Sequence, residues 1–208
     1  MSKVFVHVGM SLDGFIAGPN RGPQNPLGDG GTSVHEWMFR QQAFRDAHGL
    51  GSGGETGPDN QRLEVLVNRI GANIMGKRMF EEGEANWPEE APFHNSVFVL
   101  TREVRSPWKR PGGTTFYFVN NGIEAALAQA REAAGAKDVR ICGGNQAIVQ
   151  YLNAGRVDEL CISLTPVLLG QGVRLFDGIE RTRISLELTE SASPSQSVTH
   201  LRYAVKLK

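Results

Sequence analysis

Cysteine is nearly absent: Cys142 and Cys161 are the only two in 208 residues, each inside an apolar segment. Two such thiols cannot build the disulfide framework of a small secreted domain, and they read as reduced packing residues. Long hydrophobic runs are missing as well, since no stretch approaches the ~18 apolar residues that cross a bilayer. The opening MSKVFVHVGM lacks the longer apolar core and small-residue cleavage site of a secretory signal, so a cytoplasmic location is expected. Neither sign of charge is in excess, with 22 Lys and Arg against 22 Asp and Glu. Without a broad positive field, nucleic acid is not expected as a partner, and nor is a membrane. His7, His94 and His200 share no metal-ligand spacing, so no metal site is expected.

What is present is the material of a packed core: 40% of residues are hydrophobic and 21% charged. A chain of this length buries roughly 70% of its unfolded surface, enough for one domain over 1–208. Val4, Phe5, Val6 and Val8 form a run that reads as a strand buried on both faces and ended by Gly9. A glycine- and proline-rich loop follows to Thr32, then a helix over 34–47 carrying Trp37, then a flexible glycine-rich insertion over 48–58. Leu63, Leu66, Val67 and Ile70 recur at helical spacing, with Gly71 as the stop before a short strand at 73–75. A helix over 77–85 comes next. The second half alternates: strands at 96–101 and 114–119, a helix over 122–134 opened by an Asn121/Glu124 capping box, a strand at 138–142, and a helix over 145–154 stopped by Gly155. A strand from Val157 and two long strands at 183–192 and 197–207 close the chain. This pattern predicts an α/β fold whose largely parallel sheet ends in an antiparallel hairpin.

Two glycine motifs are decoys. Gly49, Gly51 and Gly54 have dinucleotide-fingerprint spacing, but the polar, helical QQAFRDAH precedes them where a buried strand is required. Gly71 to Lys77 matches most of a phosphate-binding Walker loop, yet Arg78 stands where a hydroxyl should hold magnesium. Three other segments sit where strands end. Gly76-Lys77-Arg78 joins backbone N–H groups to two cations at a helix start. Gly143-Gly144 follows a strand and opens a helix, leaving no Cβ between a ligand and the backbone. Thr101-Arg102 ends a third strand with a hydroxyl and a guanidinium. In an open parallel sheet, ligands bind outside the carboxyl ends of the strands, so these three predict one phosphate-binding crevice. Asp13 admits two readings, a proton donor or substrate anchor, and an Asp-Gly turn whose carboxylate caps nearby N–H groups.

Six segments in order resemble the dihydrofolate reductase-like superfamily, and within it the RibD C-terminal reductase domain of riboflavin biosynthesis. They are Ser11 to Ala17, Ile74 to Glu81, Val99 to Arg102, Gly143-Gly144, Val157 to Leu160 and Pro166 to Gly170. The resemblance, to a stand-alone member, implies a three-layer α/β fold with helices on both faces of a mixed, mostly parallel sheet, and a homodimer. It implies NADPH, with Gly76, Lys77, Arg78, Thr101 and Arg102 at the adenosine 2′-phosphate. Gly143, Gly144, Asn145, Gln146, Ala147 and Ile148 would hold the pyrophosphate, and Ile16 and Ala17 would border the nicotinamide. Trp37 would wall the substrate pocket, with Asp13 and Cys142 as further substrate contacts. The implied reaction is hydride transfer to a small pterin- or pyrimidine-type heterocycle, for which the protein orients two flat rings, excludes water and supplies a proton.

Two positions depart from the family's pattern. Val34, His35 and Glu36 stand where dihydrofolate reductases begin a helix carrying a carboxylate, and Cys142 stands where riboflavin-pathway reductases carry an acidic residue before the glycine pair. Two alternatives therefore stay open: a dinucleotide-binding protein without catalysis, and a reductase of unrelated carbonyl, imine or flavin compounds.

Overall fold

The β-branched and aromatic runs become strands, and most are buried on both faces because helices cover each side. The computed structural model describes residues 2–208. Strand β1 (Val4–Ser11) runs past Gly9 rather than ending there, and a short β2 (Phe15–Ala17) follows inside the expected loop. Residues Gly31–Val34 form a 3-10 turn, then come α1 (Glu36–Phe39), α2 (Gln42–Ala47) and α3 (Pro58–Asn68). Strand β3 (Ile70–Gly76) leads into α4 (Lys77–Glu84), β4 (Ser96–Leu100), β5 (Trp108–Lys109) and β6 (Thr115–Val119). The second half continues with α5 (Ile123–Ala134), β7 (Asp138–Gly143) and α6 (Asn145–Asn153). It ends with β8 (Glu159–Thr165), β9 (Val173–Arg174), β10 (Ile184–Ala192) and β11 (Thr199–Leu207).

Nine strands form one sheet in the order β10-β11-β8-β1-β7-β3-β4-β6-β5. The run from β8 to β6 is parallel, while β11, β10 and β5 pair antiparallel at the edges. On one face Val4, Val6, Val8, Ile74, Ile141 and Ile162 pack against Leu127, Ala130, Ile148 and Leu152 of α5 and α6. On the other, Met75, Val97, Val99 and Phe116 pack around Phe80 of α4. Each such buried apolar side chain contributes about 1.5–3 kcal/mol of transfer free energy.

Several local expectations change. The 34–47 helix is broken because Gln41 is extended, at φ −74° and ψ 141°. Its Nε2 donates to the Trp37 carbonyl and to Glu55, so the residue serves as a pin between segments. The glycine-rich 48–58 stretch is tied down through Gln42 N–H to Glu55 O, Glu55 N–H to Arg40 O, and Arg45 to the carbonyls of Leu50, Gly51 and Ser52. Gly71 lies inside β3 instead of stopping a helix; a Cβ there would come within 2.7 Å of the Ala134 carbonyl, so glycine lets α5 approach. No Asn121 capping box forms, since Gly122 is the cap residue and no side chain bonds to it. Gly155 does end α6, at φ +65°. Strands β2, β5 and β9 are two or three residues long, too short to show a period.

Candidate functional site

Parallel pairing aligns the carboxyl ends of β7, β3 and β4, with Met75 opposite Gly143 and Gly76 opposite Leu100. The three segments singled out in the sequence therefore meet. Gly76 and Gly144 are close: a Cβ on Gly76 would lie 3.7 Å from the Gly144 nitrogen and 3.7 Å from the Ala147 Cβ. A Cβ on Gly144 would meet nothing within 4 Å, so this backbone faces open ground. Gly144 caps α6 without any side-chain bond, which leaves the first-turn N–H groups of Asn145, Gln146 and Ala147 turned outward; Ile148 N–H is taken by the Gly144 carbonyl. The Gly143–Gly144 peptide is cis.

The cations at this edge differ in their commitments. Lys77 Nζ pairs with Glu103 and, at 3.4 Å, with Glu81, and both carboxylates hold its pKa up. Arg78 Nε donates to Glu82 at 3.0 Å and its Nη2 to the Arg21 carbonyl at 3.2 Å. Arg102 is exposed and makes no ion pair among the described residues. Thr101 N–H donates to the Val119 carbonyl, and its hydroxyl accepts from Glu103 N–H at 3.0 Å.

At the other end, Ile16 and Ala17 lie on β2, and Ala17 is buried. The His35 Nε2 is buried and has no hydrogen-bond partner among the described residues. Burial lowers the His35 pKa to about 4, so the ring is neutral. Asp13 does not present a free carboxyl: it accepts from Ser11 Oγ at 2.6 Å, Leu169 N–H at 3.1 Å and Gly170 N–H at 2.7 Å. The Ser11 hydroxyl, then the two amides, lower its pKa to about 2. A carboxyl that stays ionised and is held by three donors corrects the proton-donor expectation; Asp13 clamps the 167–170 loop to the end of β1. Because the folded pKa is depressed, this clamp is complete above about pH 4 and is lost as pH falls toward 2. Amide exchange at Leu169 and Gly170 is expected to accelerate across that interval, and no change would show that other contacts hold the loop.

Cys142 is buried, and its Sγ donates to Asn73 Oδ1 at 3.0 Å. Burial pushes this thiol up, as it does Cys161, so neither is a reactive thiolate. Trp37 is buried with its Nε1 unpartnered, and its ring meets His200 edge-on at 5.0 Å.

Trp37 also lines a cavity of about 440 Å³ between α3 and strands β8 and β11, together with His7, Arg62, Ser163, His200 and Arg202. That volume suits a small organic ligand. A chain of hydrogen bonds crosses its floor: His7 Nε2 to Ser163 Oγ at 3.0 Å, Ser163 Oγ to His200 Nδ1 at 3.2 Å, and His200 Nε2 to Asp59 Oδ1 at 2.8 Å. In the sequence, His7 and His200 are legible only against metal-ligand spacing, which does not bring them together. The signal available was parity: His7 and Ser163 are polar interruptions of otherwise apolar strands. Among the described residues, no group of three or more His, Cys, Asp and Glu is placed to hold a metal ion. No helix among them is long and apolar enough to cross a membrane.

The strand order and the crescent of strand ends define a dihydrofolate reductase-like α/β protein. Dihydrofolate reductase from Enterococcus faecalis, complexed with NADP(H), aligns over 98% of this chain and 96% of its own, at 12% identity and a TM-score of 0.55. The RibD C-terminal domain family matches residues 2–199, and the chain belongs to that family. It is 33% identical over 201 residues to the YyaP protein of Bacillus subtilis (strain 168), covering 97% of this chain and 94% of that one. A protein from Shewanella sp. PV-4 named for riboflavin biosynthesis shares the fold at 22% identity and a TM-score of 0.65, over 99% of both chains. A Thermotoga maritima deaminase/reductase, named for 5-amino-6-(5-phosphoribosylamino)uracil reduction, aligns over 98% of this chain and 56% of its own, with a TM-score of 0.60 and 12% identity.

Proposed function

We propose that this protein is an NADPH-dependent reductase that transfers hydride to a small pterin- or pyrimidine-type heterocycle. Its family is one of NADPH-dependent reductases. The observation that carries the reading is the open ground above Gly144, beside Gly76 and at the end of three parallel strands. A dinucleotide needs such a place, where backbone N–H groups meet a pyrophosphate with no side chain between them. In this reading Gly143, Gly144 and the first turn of α6, from Asn145 to Ile148, hold the pyrophosphate. Gly76, Lys77, Arg78, Thr101 and Arg102 hold the 2′-phosphate, and Ile16 and Ala17 border the nicotinamide. The bound cofactor supplies the hydride. Trp37 and the cavity beneath α3 receive the substrate, and burial there excludes water. The buried Cys142 thiol, committed to Asn73, favours a substrate other than one that needs a carboxylate before the glycine pair. A cytoplasmic homodimer completes the reading; Leu186 and Leu188, exposed on the edge strand β10, are consistent with pairing between copies.

Titration with NADPH and NADH, following quenching of Trp37, Trp87 and Trp108, tests this reading. Tight, salt-sensitive preference for NADPH is expected, and binding of neither would overturn it. The geometry also ranks the cations. Among the described residues Arg102 has no ion-pair partner to compete with a phosphate, whereas Lys77 and Arg78 are already paired. Arg102→Ala is therefore expected to weaken NADPH binding by about tenfold, a loss of about 1.4 kcal/mol, and to leave NADH binding nearly unchanged. Equal loss for both cofactors would remove Arg102 from the 2′-phosphate site.

A further inference from the structure

Asp59, His200, Ser163 and His7 come from α3, β11, β8 and β1, and each hydrogen bond joins residues far apart in the chain. The opposite face of the same strands is filled by Val6, Val8, Ile162 and Leu201, so a polar row is not needed to close the sheet. Buried polar networks are hard to satisfy, and an apolar set of the same shape is often at least as stable. This row is continuous and open at one end. His7 lines the cavity, and no protein group among the described residues hydrogen-bonds its Nδ1.

The charges around the row are divided. Facing His7 are Arg140 from β7, His200 from β11 and His35 ahead of α1, and burial together with these groups keeps its pKa well below the ordinary value. Facing His200 are Asp59 from α3 and Glu190 from β10, and Glu190 is itself paired with Arg62 and Arg202. A positive charge is therefore unfavourable on His7. The open end also lies near the expected nicotinamide border. Gly9 pairs with Ser163 and packs on His35, whose ring would stand 3.0 Å from a Gly9 Cβ.

We propose that Asp59, His200, Ser163 and His7 form a proton relay that protonates the substrate in the cavity beneath α3, with His7 as the residue that touches it. The proposal rests on the reductase reading and names its proton source. In the charged relay, His200 carries both ring protons, with Nε2–H donating to Asp59 and Nδ1–H to Ser163. The Ser163 hydroxyl donates to His7 Nε2, and the His7 proton sits on Nδ1, facing the cavity. A bound reduced nicotinamide dinucleotide would supply the hydride; as the carbon of a substrate C=N bond accepts it, the π electrons pass to nitrogen, which takes the His7 Nδ1 proton. His7 Nε2 then takes the Ser163 proton, and Ser163 takes the Nδ1 proton of His200, which becomes neutral. One hydride and one proton have been added across C=N, and His7 has only changed tautomer. After product leaves, a proton from cavity water enters at His7 Nδ1 and the same shifts return the charge to His200.

The first test needs no cofactor. Nitrogen-15 spectra of the imidazoles in the unliganded protein are expected to show His7 protonated on Nε2 at high pH and on Nδ1 at low pH, changing together with ionisation of His200. In Ser163→Ala the two changes are expected to separate, and Ser163→Thr, which restores the hydroxyl, is expected to couple them again. A His7 tautomer that ignores pH, or follows it equally in Ser163→Ala, would overturn the relay. With a heterocycle found by screening pterins and pyrimidines, Ser163→Ala is expected to lower kcat by about 100-fold with KM little changed. Asp59→Asn, which removes the carboxylate that accepts from His200 Nε2, is expected to lower kcat with KM little changed. Unchanged kcat in Ser163→Ala would reject the relay while leaving NADPH binding and the reductase reading intact. Failure to bind NADPH in the tryptophan titration would reject that reading instead, and the tautomer spectra would still decide whether the four residues are coupled.

Discussion

Gly144→Val is expected to abolish NADPH binding while the protein folds normally. The backbone at Gly144 sits at φ −70° and ψ −171°, a conformation any residue adopts, and a Cβ there would meet no protein atom within 4 Å. The added Cβ therefore meets no protein atom and projects into the ground assigned to the pyrophosphate. Contrast Gly172, at φ +134°, where a Cβ would come within 2.1 Å of the Ala17 carbonyl; that glycine is demanded by the chain itself. Gly144 has no such close contact. The expected loss is at least about 100-fold in affinity, about 2.8 kcal/mol, with an unchanged melting curve. Normal binding by a folded Gly144→Val protein would move the pyrophosphate away from this turn.

Glu82→Gln is expected to cause the largest loss of stability. The Glu82 carboxylate is only 5% exposed and takes Arg21, itself 10% exposed, from the loop between β2 and α1. It also accepts from Arg78 Nε at 3.0 Å one turn earlier on α4. Neutralising it leaves two guanidinium groups facing an amide, one of them nearly buried. Breaking one side of a buried pair costs about 3 kcal/mol or more, because the stranded charge cannot regain water. For a chain of this size that corresponds to a fall of about 10 °C in Tm. Removing Arg21 as well should return part of the loss, since the stranded charge goes with it. A Tm within about a degree of the parent would show that solvent already reaches this pair.

Much of the fold was legible because its signals are local. The runs at 96–100 and 115–119, the helix at 123–134 and the hairpin strands at 184–192 and 199–207 each carry their own periodicity or β-branched composition. Gly76-Lys77-Arg78, Thr101-Arg102 and Gly143-Gly144 were legible for a related reason. A parallel sheet must deliver all its strand ends to one edge, so finding three chemical motifs at strand ends predicts that they meet. Where the reading failed, a distant partner had overruled a local preference. Gln41 breaks a helix to bond Glu55 and Trp37, and Gly71 joins a strand so that α5 can approach.

The sequence by itself therefore determined the α/β class, the strand-end crescent and its excess of donors, because those follow from spacing along the chain. Only the tertiary structure decided which charges are free. Among the described residues Arg102 makes no ion pair while Lys77 and Arg78 are bound to carboxylates, and Asp13 is a clamp because Leu169 and Gly170, more than 150 positions away, donate to it. Tertiary structure alone also assembled Asp59, His200, Ser163 and His7. Their hydrogen bonds span sequence separations from 37 to 156, and no periodicity within one segment can encode a contact between strands that become neighbours only when the sheet closes.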